Sequence, residues 1–202
     1  MTLISDEYRT VKGEATGIYK EKGSRFLAYA YNVTTADEAK ERVREKQKEY
    51  HDARHHCYAW RLGPGEGETK MGDDGEPSGT AGRPILGQIL SAGLTNVVVV
   101  VVRYFGGIKL GTGGLIVAYK SATADCFANA EIVTRTFDVR FVVTFPYLAM
   151  NSVMKALKDS SAKIESQDFD TECRMTLSIR KNDFPAMEMR LTDIDGVAIE
   201  QI

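Results

Sequence analysis

The sequence has few of the features that mark secreted or membrane proteins. It contains three cysteines, Cys57, Cys126 and Cys173, which are widely separated and odd in number, so we expect reduced thiols rather than a disulfide framework. No uninterrupted apolar run comes near the ~20 residues of a membrane helix. Residues 1–7 lack the basic and apolar regions of a signal peptide. These absences predict a cytoplasmic protein with no membrane partner.

A strong net charge is also missing. The chain of 202 residues has a formal net charge of −2, which argues against indiscriminate nucleic-acid binding, since such binders are usually basic overall. Residues 1–130 contain 17 basic and 16 acidic side chains, whereas residues 131–202 contain 9 and 12. The first part is therefore the better candidate for contact with a polyanion. The mixed apolar and charged composition of the whole chain is that of a folded globular protein.

A buried strand, a glycine-rich turn and a helix are predicted in succession between residues 96 and 124. Six consecutive valines at 97–102 favour a strand covered on both faces, because β-branched side chains suit a pleated surface and no polar residue alternates with them. Residues 115–124 have the length and apolar content of a helix. Such a helix begins with unpaired backbone N–H groups that suit an anion. The candidate anion-binding residues here are Arg103, Gly106, Gly107, Lys109, Gly111 and Gly113.

The same glycines have a purely structural alternative, since they can serve positive φ angles or the close packing of a strand on a helix. The turn also lacks both common phosphate motifs. Thr112 and Gly113 stand where a P-loop needs Lys and then Ser or Thr, and Ile116 stands where a dinucleotide fingerprint needs Gly. An anion site and a structural role therefore both stay open for this turn.

An acidic loop precedes the valine strand. Residues 63–80 are rich in Gly, Asp and Glu and are predicted to be loop throughout, and a loop of this length is usually functional. Asp73, Asp74 and Glu76 offer the oxygen ligands that Mg²⁺ prefers, but the same residue types are typical of turns. Thr80 is predicted to cap a helix over residues 81–94.

Local signals place further elements in the first half. Thr35 and Glu38 form a capping box, which predicts a helix from Ala36. Residues 55–62 predict a strand that contains two histidines and a cysteine. A structural zinc site usually has four ligands in close pairs, and no base is evident for a cysteine nucleophile, so neither is predicted.

Residues 131–202 have a periodicity of their own. Strand and helix patterns follow in the order β-α-β-β-α-β, which is the ferredoxin-like arrangement. We therefore predict an α+β protein of two domains, residues 1–130 and 131–202, with the boundary between Ala130 and Phe137.

Two stretches resemble the IMPACT/YigZ family. They are DDGEPSGTAGRPIL at residues 73–86, and RYFGGIKLG at 103–111 together with GGL at 113–115. The motifs are highly specific, and the resemblance is strong over about residues 15–130. One departure is Val117, where members of the family commonly carry Arg.

The resemblance implies a first domain with the α/β fold shared by ribonuclease PH, the GHMP kinases and domain IV of elongation factor G. It implies a ferredoxin-like second domain similar to domain V of that factor, as in bacterial two-domain members. Eukaryotic members regulate translation by blocking activation of a starvation-responsive kinase, whereas no catalytic activity is settled for the bacterial ones.

Two functions from different classes compete. The first is a non-enzymatic, translation-linked module that binds RNA, the ribosome or a translation-regulating protein, without a cofactor. It depends on the resemblance and on Arg83, Arg103 and Lys109. The second is a phosphate-handling transferase or hydrolase that uses the glycine-rich turn for phosphate and the acidic loop for a metal. The absence of an evident nucleophile or base favours the first.

Overall fold

The computed structural model describes residues 6–170 and 172–202, which divide into two compact units. One unit comprises residues 8–135, and the other comprises residues 136–202 with residues 6 and 7. The architecture is mixed α/β, with five α-helices and three sheets in the described ranges. None of the described helices is long and apolar enough to cross a membrane.

The first unit is built on a five-stranded antiparallel sheet with three helices. The sheet order is β2-β3-β6-β4-β5, and β1 pairs separately with β7. The elements are β1 Glu7–Val11, β2 Glu14–Glu21, β3 Ser24–Asn32, α1 Ala36–Glu49, β4 His55–Leu62, β5 Glu68–Gly72, α2 Gly82–Ser91, β6 Val97–Tyr104, α3 Gly111–Ala128 and β7 Ile132–Thr136.

The valine strand lies at the centre of this sheet, as predicted. All six valines have no solvent exposure, because both faces of β6 are covered. Val97, Val99 and Val101 pack in the cluster that includes α2 and α3, while the alternate valines pack in the cluster that includes α1. The period of two along the strand thus divides one apolar run between two cores.

Helix α1 begins at the predicted residue. The Thr35 side chain accepts a hydrogen bond from the N–H of Glu38 at 3.1 Å, and the Glu38 carboxylate accepts from the N–H of Thr34 at 2.6 Å. The reciprocal bond therefore reaches one residue further back than in a regular capping box.

Four boundaries differ from the prediction. The loop at 63–80 contains strand β5, and the predicted boundary segment between Ala130 and Phe137 contains strand β7. Helix α2 is shorter than predicted, and Thr80 does not cap it, because its hydroxyl donates to the Pro77 carbonyl. Helix α3 begins at Gly111, so three of the turn glycines belong to its first turn.

The second unit contains the predicted order β-α-β-β-α-β. Its strands form an antiparallel sheet in the order β11-β8-β10-β9 around a single apolar cluster. The elements are β8 Asp138–Phe145, a 3-10 turn Tyr147–Ala149, α4 Met150–Lys158, β9 Lys163–Phe169, β10 Cys173–Arg180, α5 Phe184–Thr192 and β11 Ala198–Gln201.

Candidate functional site

The two motif stretches meet at a cavity of about 400 Å³ beside the carboxyl end of β6. The acidic loop contributes Glu76 and Pro77 to the lining, and the segment after β6 contributes Phe105, Lys109 and Gly111. The cavity is of the size of small-ligand sites, which commonly measure about 300–1,000 Å³. Its position follows from the topology, because β6 delivers the second motif to the loop that holds the first.

A buried ion pair forms part of the cavity wall. The guanidinium Nη1 of Arg103 donates to Oε1 of Glu76 at 2.5 Å, and the two side chains are only 7% and 3% exposed. The rings of Phe26 and Phe105 lie 5.4 and 5.6 Å from the guanidinium carbon. Arg103 is therefore fixed in position by an acidic residue of the loop, Glu76.

Glu76 has a second buried partner. The Tyr119 hydroxyl donates to the same carboxylate oxygen at 2.8 Å, and the Cys57 thiol donates to that hydroxyl at 3.2 Å. Burial raises the pKa of Cys57 and that of Tyr119. Both groups therefore stay protonated and neutral at physiological pH, which leaves Cys57 without the thiolate that a nucleophile requires.

The other two acidic residues of the loop hold the backbone. The Asp73 carboxylate accepts hydrogen bonds from the N–H groups of Gly79, Ala81 and Gly82 at 2.8–3.0 Å. Burial alone would raise the pKa of Asp73, but these three donors outweigh it and the net pKa is lowered. Asp73 thus supplies the helix cap that Thr80 was predicted to supply.

Asp74 serves the neighbouring strand. Its carboxylate accepts from the His56 N–H at 2.6 Å, and its carbonyl accepts from Nδ1 of His55 at 2.8 Å. The carboxylates of Asp73, Asp74 and Glu76 therefore turn to different partners. In the described residues, no three His, Cys, Asp or Glu side chains are grouped so that they could hold a metal ion.

The amino terminus of α3 lies at the cavity, because Gly111 and Thr112 both line it. In the part of the chain that the structure describes, the N-cap residue Leu110 makes no side-chain hydrogen bond to the first backbone N–H groups of the helix. The first N–H groups of a helix have no intrahelical partner, and the helix dipole gives this end a partial positive charge. The 18-residue helix thus adds a favourable field for an anion.

The remaining predicted site residues do not line the cavity. Arg83 is exposed on the first turn of α2. Gly106 has a structural explanation, because a Cβ there would lie 1.9 Å from the Gly23 carbonyl carbon. Gly107 has a φ of +90°, which favours glycine, and Gly113 lies in the first turn of α3. Of the predicted set, the structure brings Arg103, Lys109, Gly111 and Glu76 to the cavity.

Seven of the described lining residues were not among the predicted site residues, and three of these add a charge or a ring to the cavity. Arg54 directly precedes β4, His55 is the first residue of β4, and Phe105, which is 47% exposed, directly follows β6. His55 is placed by strand pairing, since it lies opposite Arg103 in the β4–β6 register. Because a carbonyl can only accept, its Nδ1 donates to Asp74, which leaves Nε2 of the neutral ring with a lone pair.

Comparison with known proteins connects this geometry to a family. The sequence model described as the Impact N-terminal domain matches residues 22–127. The chain is 31% identical to the IMPACT family member YigZ of Escherichia coli over 187 residues, which cover 92% of each chain. It is 30% identical to the IMPACT family member YvyE of Bacillus subtilis over 187 residues, covering 93% of this chain and 86% of that one.

A solved structure resembles the whole chain. The crystal structure of an hypothetical protein matches with a TM-score of 0.74 and 28% identity, and the match covers 98% of both chains. Both units thus have a counterpart in one experimental structure.

Proposed function

The chain belongs to the IMPACT family, and from this premise we propose that it is a translation-linked regulatory protein, without catalytic activity of its own, that binds RNA or the ribosome. The translation role is the one that the family resemblance implies. The RNA-binding role depends on the cavity at the carboxyl end of β6. We also propose a cytoplasmic location, two separately folding domains, and a ferredoxin-like fold for residues 136–202, which the sheet order β11-β8-β10-β9 supports.

The observation that carries the proposal is the combination of cations and an exposed aromatic ring at one cavity. Arg54 and Lys109 are exposed lining residues, and the half-exposed ring of Phe105 lies 5.6 Å from the guanidinium carbon of the buried Arg103. Proteins that bind single-stranded RNA use cationic side chains for phosphates and aromatic rings for stacking on bases. A local site of this kind does not need a basic chain, so it agrees with the net charge of −2.

The test is binding of a labelled single-stranded RNA by fluorescence anisotropy over a range of salt concentrations. Lys109→Ala and Arg54→Ala should each weaken binding, and each should reduce the salt slope by about 0.7 if it removes one phosphate contact. Lys120→Ala is the matched control, because Lys120 on α3 is also an exposed lysine but is not among the residues that line the cavity. It should leave both quantities nearly unchanged.

Two results would contradict the proposal. One is the absence of salt-dependent RNA binding by the wild-type protein. The other is an equal loss in Lys109→Ala and Lys120→Ala, which would show only a general charge effect. Co-purification of a regulatory protein in place of RNA or ribosomes would move the proposed partner to the other class.

The alternative is a phosphate-handling transferase or hydrolase at the same cavity. One observation favours it, namely the Nε2 lone pair of His55, which is the feature a general base needs. Its metal-binding part lacks support, because Asp73, Asp74 and Glu76 have separate partners. The test is an assay of phosphate release from RNA and from nucleotides. Activity that is lost in His55→Ala but kept in His51→Ala, which changes an exposed histidine that does not line the cavity, would establish this function.

A further inference from the structure

We propose that the cavity binds a terminal nucleoside phosphomonoester, with the phosphate at the amino terminus of α3 and the base against the exposed side of Phe105. This inference rests on the proposed function and narrows it from RNA in general to a phosphorylated end. A free nucleoside monophosphate carries the same chemistry, so the experiment below separates the two sources.

Arg103 has hydrogen-bond donors that no described residue uses. Within the described residues its guanidinium makes one hydrogen bond, from Nη1 to Glu76, and its Nε is buried without a partner. The buried Nε is out of reach of a ligand, but Nη2 also has no hydrogen-bond partner among the described residues and is not fully buried. Because Arg103 lines the cavity, a phosphate oxygen placed there would supply an acceptor for Nη2, in the charge-assisted geometry that guanidinium groups favour.

The charge of the other lining residues also favours a phosphomonoester. A phosphomonoester carries more negative charge near neutral pH than a phosphodiester and has three strong acceptor oxygens. Several donors are available at the cavity, namely the first backbone N–H groups of α3, at Gly111 and Thr112, and the ammonium of Lys109. The carboxylate of Glu76, which also lines the cavity, is already paired with Arg103 and Tyr119 and repels an anion less for that reason.

The depth of Arg103 in the cavity favours a terminal phosphate over an internal one. The Arg103 side chain is 7% exposed, so a ligand must enter the cavity to reach it. An internal phosphodiester carries chain on both sides and needs an entrance and an exit. A terminal phosphate carries chain on one side only. A volume of about 400 Å³ suits one nucleotide-sized group, and the apolar lining at Phe105, Leu110 and Leu115 suits a planar base.

The test compares one RNA oligonucleotide in three forms, with a 5′-phosphate, with a 3′-phosphate and with hydroxyl groups at both ends. One phosphorylated form should bind about tenfold more tightly, the effect of one or two charge-assisted hydrogen bonds. Lys109→Ala should reduce this preference, and Lys120→Ala should leave it intact. Arg103→Lys retains the charge but lacks the guanidinium fork, so it should also reduce this preference. Its melting temperature should be measured to show that the variant is folded.

The outcomes distinguish this inference from the proposed function. Equal binding of the three RNA forms overturns the phosphomonoester site, even if salt-dependent RNA binding is present. If adenosine 5′-monophosphate binds and none of the RNA forms does, the phosphomonoester site is supported and its ligand is a free nucleotide. The same result overturns the proposed RNA function. Absence of binding by all four ligands overturns both.

Discussion

The buried pair of Arg103 and Glu76 allows a quantitative test of how the site is held. Three variants are needed: Glu76→Gln, Arg103→Met and the double variant. Each single change leaves one charge buried without its partner, whereas the double change removes both charges and keeps side chains of similar length. The comparison therefore separates the cost of an unpaired charge from the net contribution of the pair.

The magnitude follows from the burial. The two side chains are 7% and 3% exposed, and the nitrogen–oxygen distance is 2.5 Å, so each charge has little access to water when its partner is removed. Breaking a pair in such surroundings costs ~3–5 kcal/mol of unfolding free energy. The double variant should cost less than the sum of the single ones by at least about 1 kcal/mol, because the uncompensated charge is then absent.

Urea unfolding followed by tryptophan fluorescence is the appropriate assay. The chain has one tryptophan, Trp60, which is 1% exposed on β4 of the first unit. The signal therefore reports the unit that contains the pair, whatever the other unit does. Single variants that each cost less than about 1 kcal/mol and that add to the double value would refute the reasoning, since they would show a pair that water solvates.

The remaining predictions concern the loop, the thiols and the unit boundary. Asp73→Asn should lower the unfolding free energy at pH 7 by about 1–3 kcal/mol. Because the pKa of Asp73 is lowered in the folded state, its stabilisation is complete above the unfolded value of about 3.9 and is lost as the pH falls through the folded pKa. The difference from the wild-type protein in chemical denaturation should therefore disappear in strong acid. The three cysteines are buried and free, and burial raises the pKa of Cys126 to about 12. A thiol reagent should therefore react with the unfolded protein and hardly with the native one, and rapid reaction of the native protein would contradict this. A fragment of residues 1–136 should fold alone and be more stable than a fragment of residues 1–130, because the shorter one lacks the partner strand of β1; equal melting temperatures would contradict this.

Elements with local causes could be predicted from the sequence. The valine run needs only its own side chains to favour a buried strand, and Thr35 and Glu38 lie within one turn of the helix they cap. Strand β5 was missed because its residues are mostly exposed and polar, with no apolar alternation to show it. Strand β7 was missed because its partner, β1, precedes it by more than 100 residues.

The site was predicted in part for the same reason. The strand and glycine-rich turn at residues 97–114 led us to name Arg103, Lys109 and Gly111 as candidates for one site, and all three line the cavity. His55 reaches it through the β4–β6 register, which no local pattern specifies. The cap of α2 was wrong because Asp73, eight residues before Ala81 in the chain, competes successfully with the adjacent Thr80.

The pairing of β1 with β7 has a consequence for how such chains evolve. The first and last strands of the unit 8–135 are neighbours in one small sheet. Lys12, just after β1, bonds to Glu131, just before β7, through its backbone N–H and through its side chain. A module whose ends leave at the same place can be joined to new sequence, or circularly permuted, without rearranging its interior. If the two units fold separately, as proposed above, replacement of residues 136–202 by another domain would require only a new linker, and the unit 8–135 could be reused beside unrelated partners.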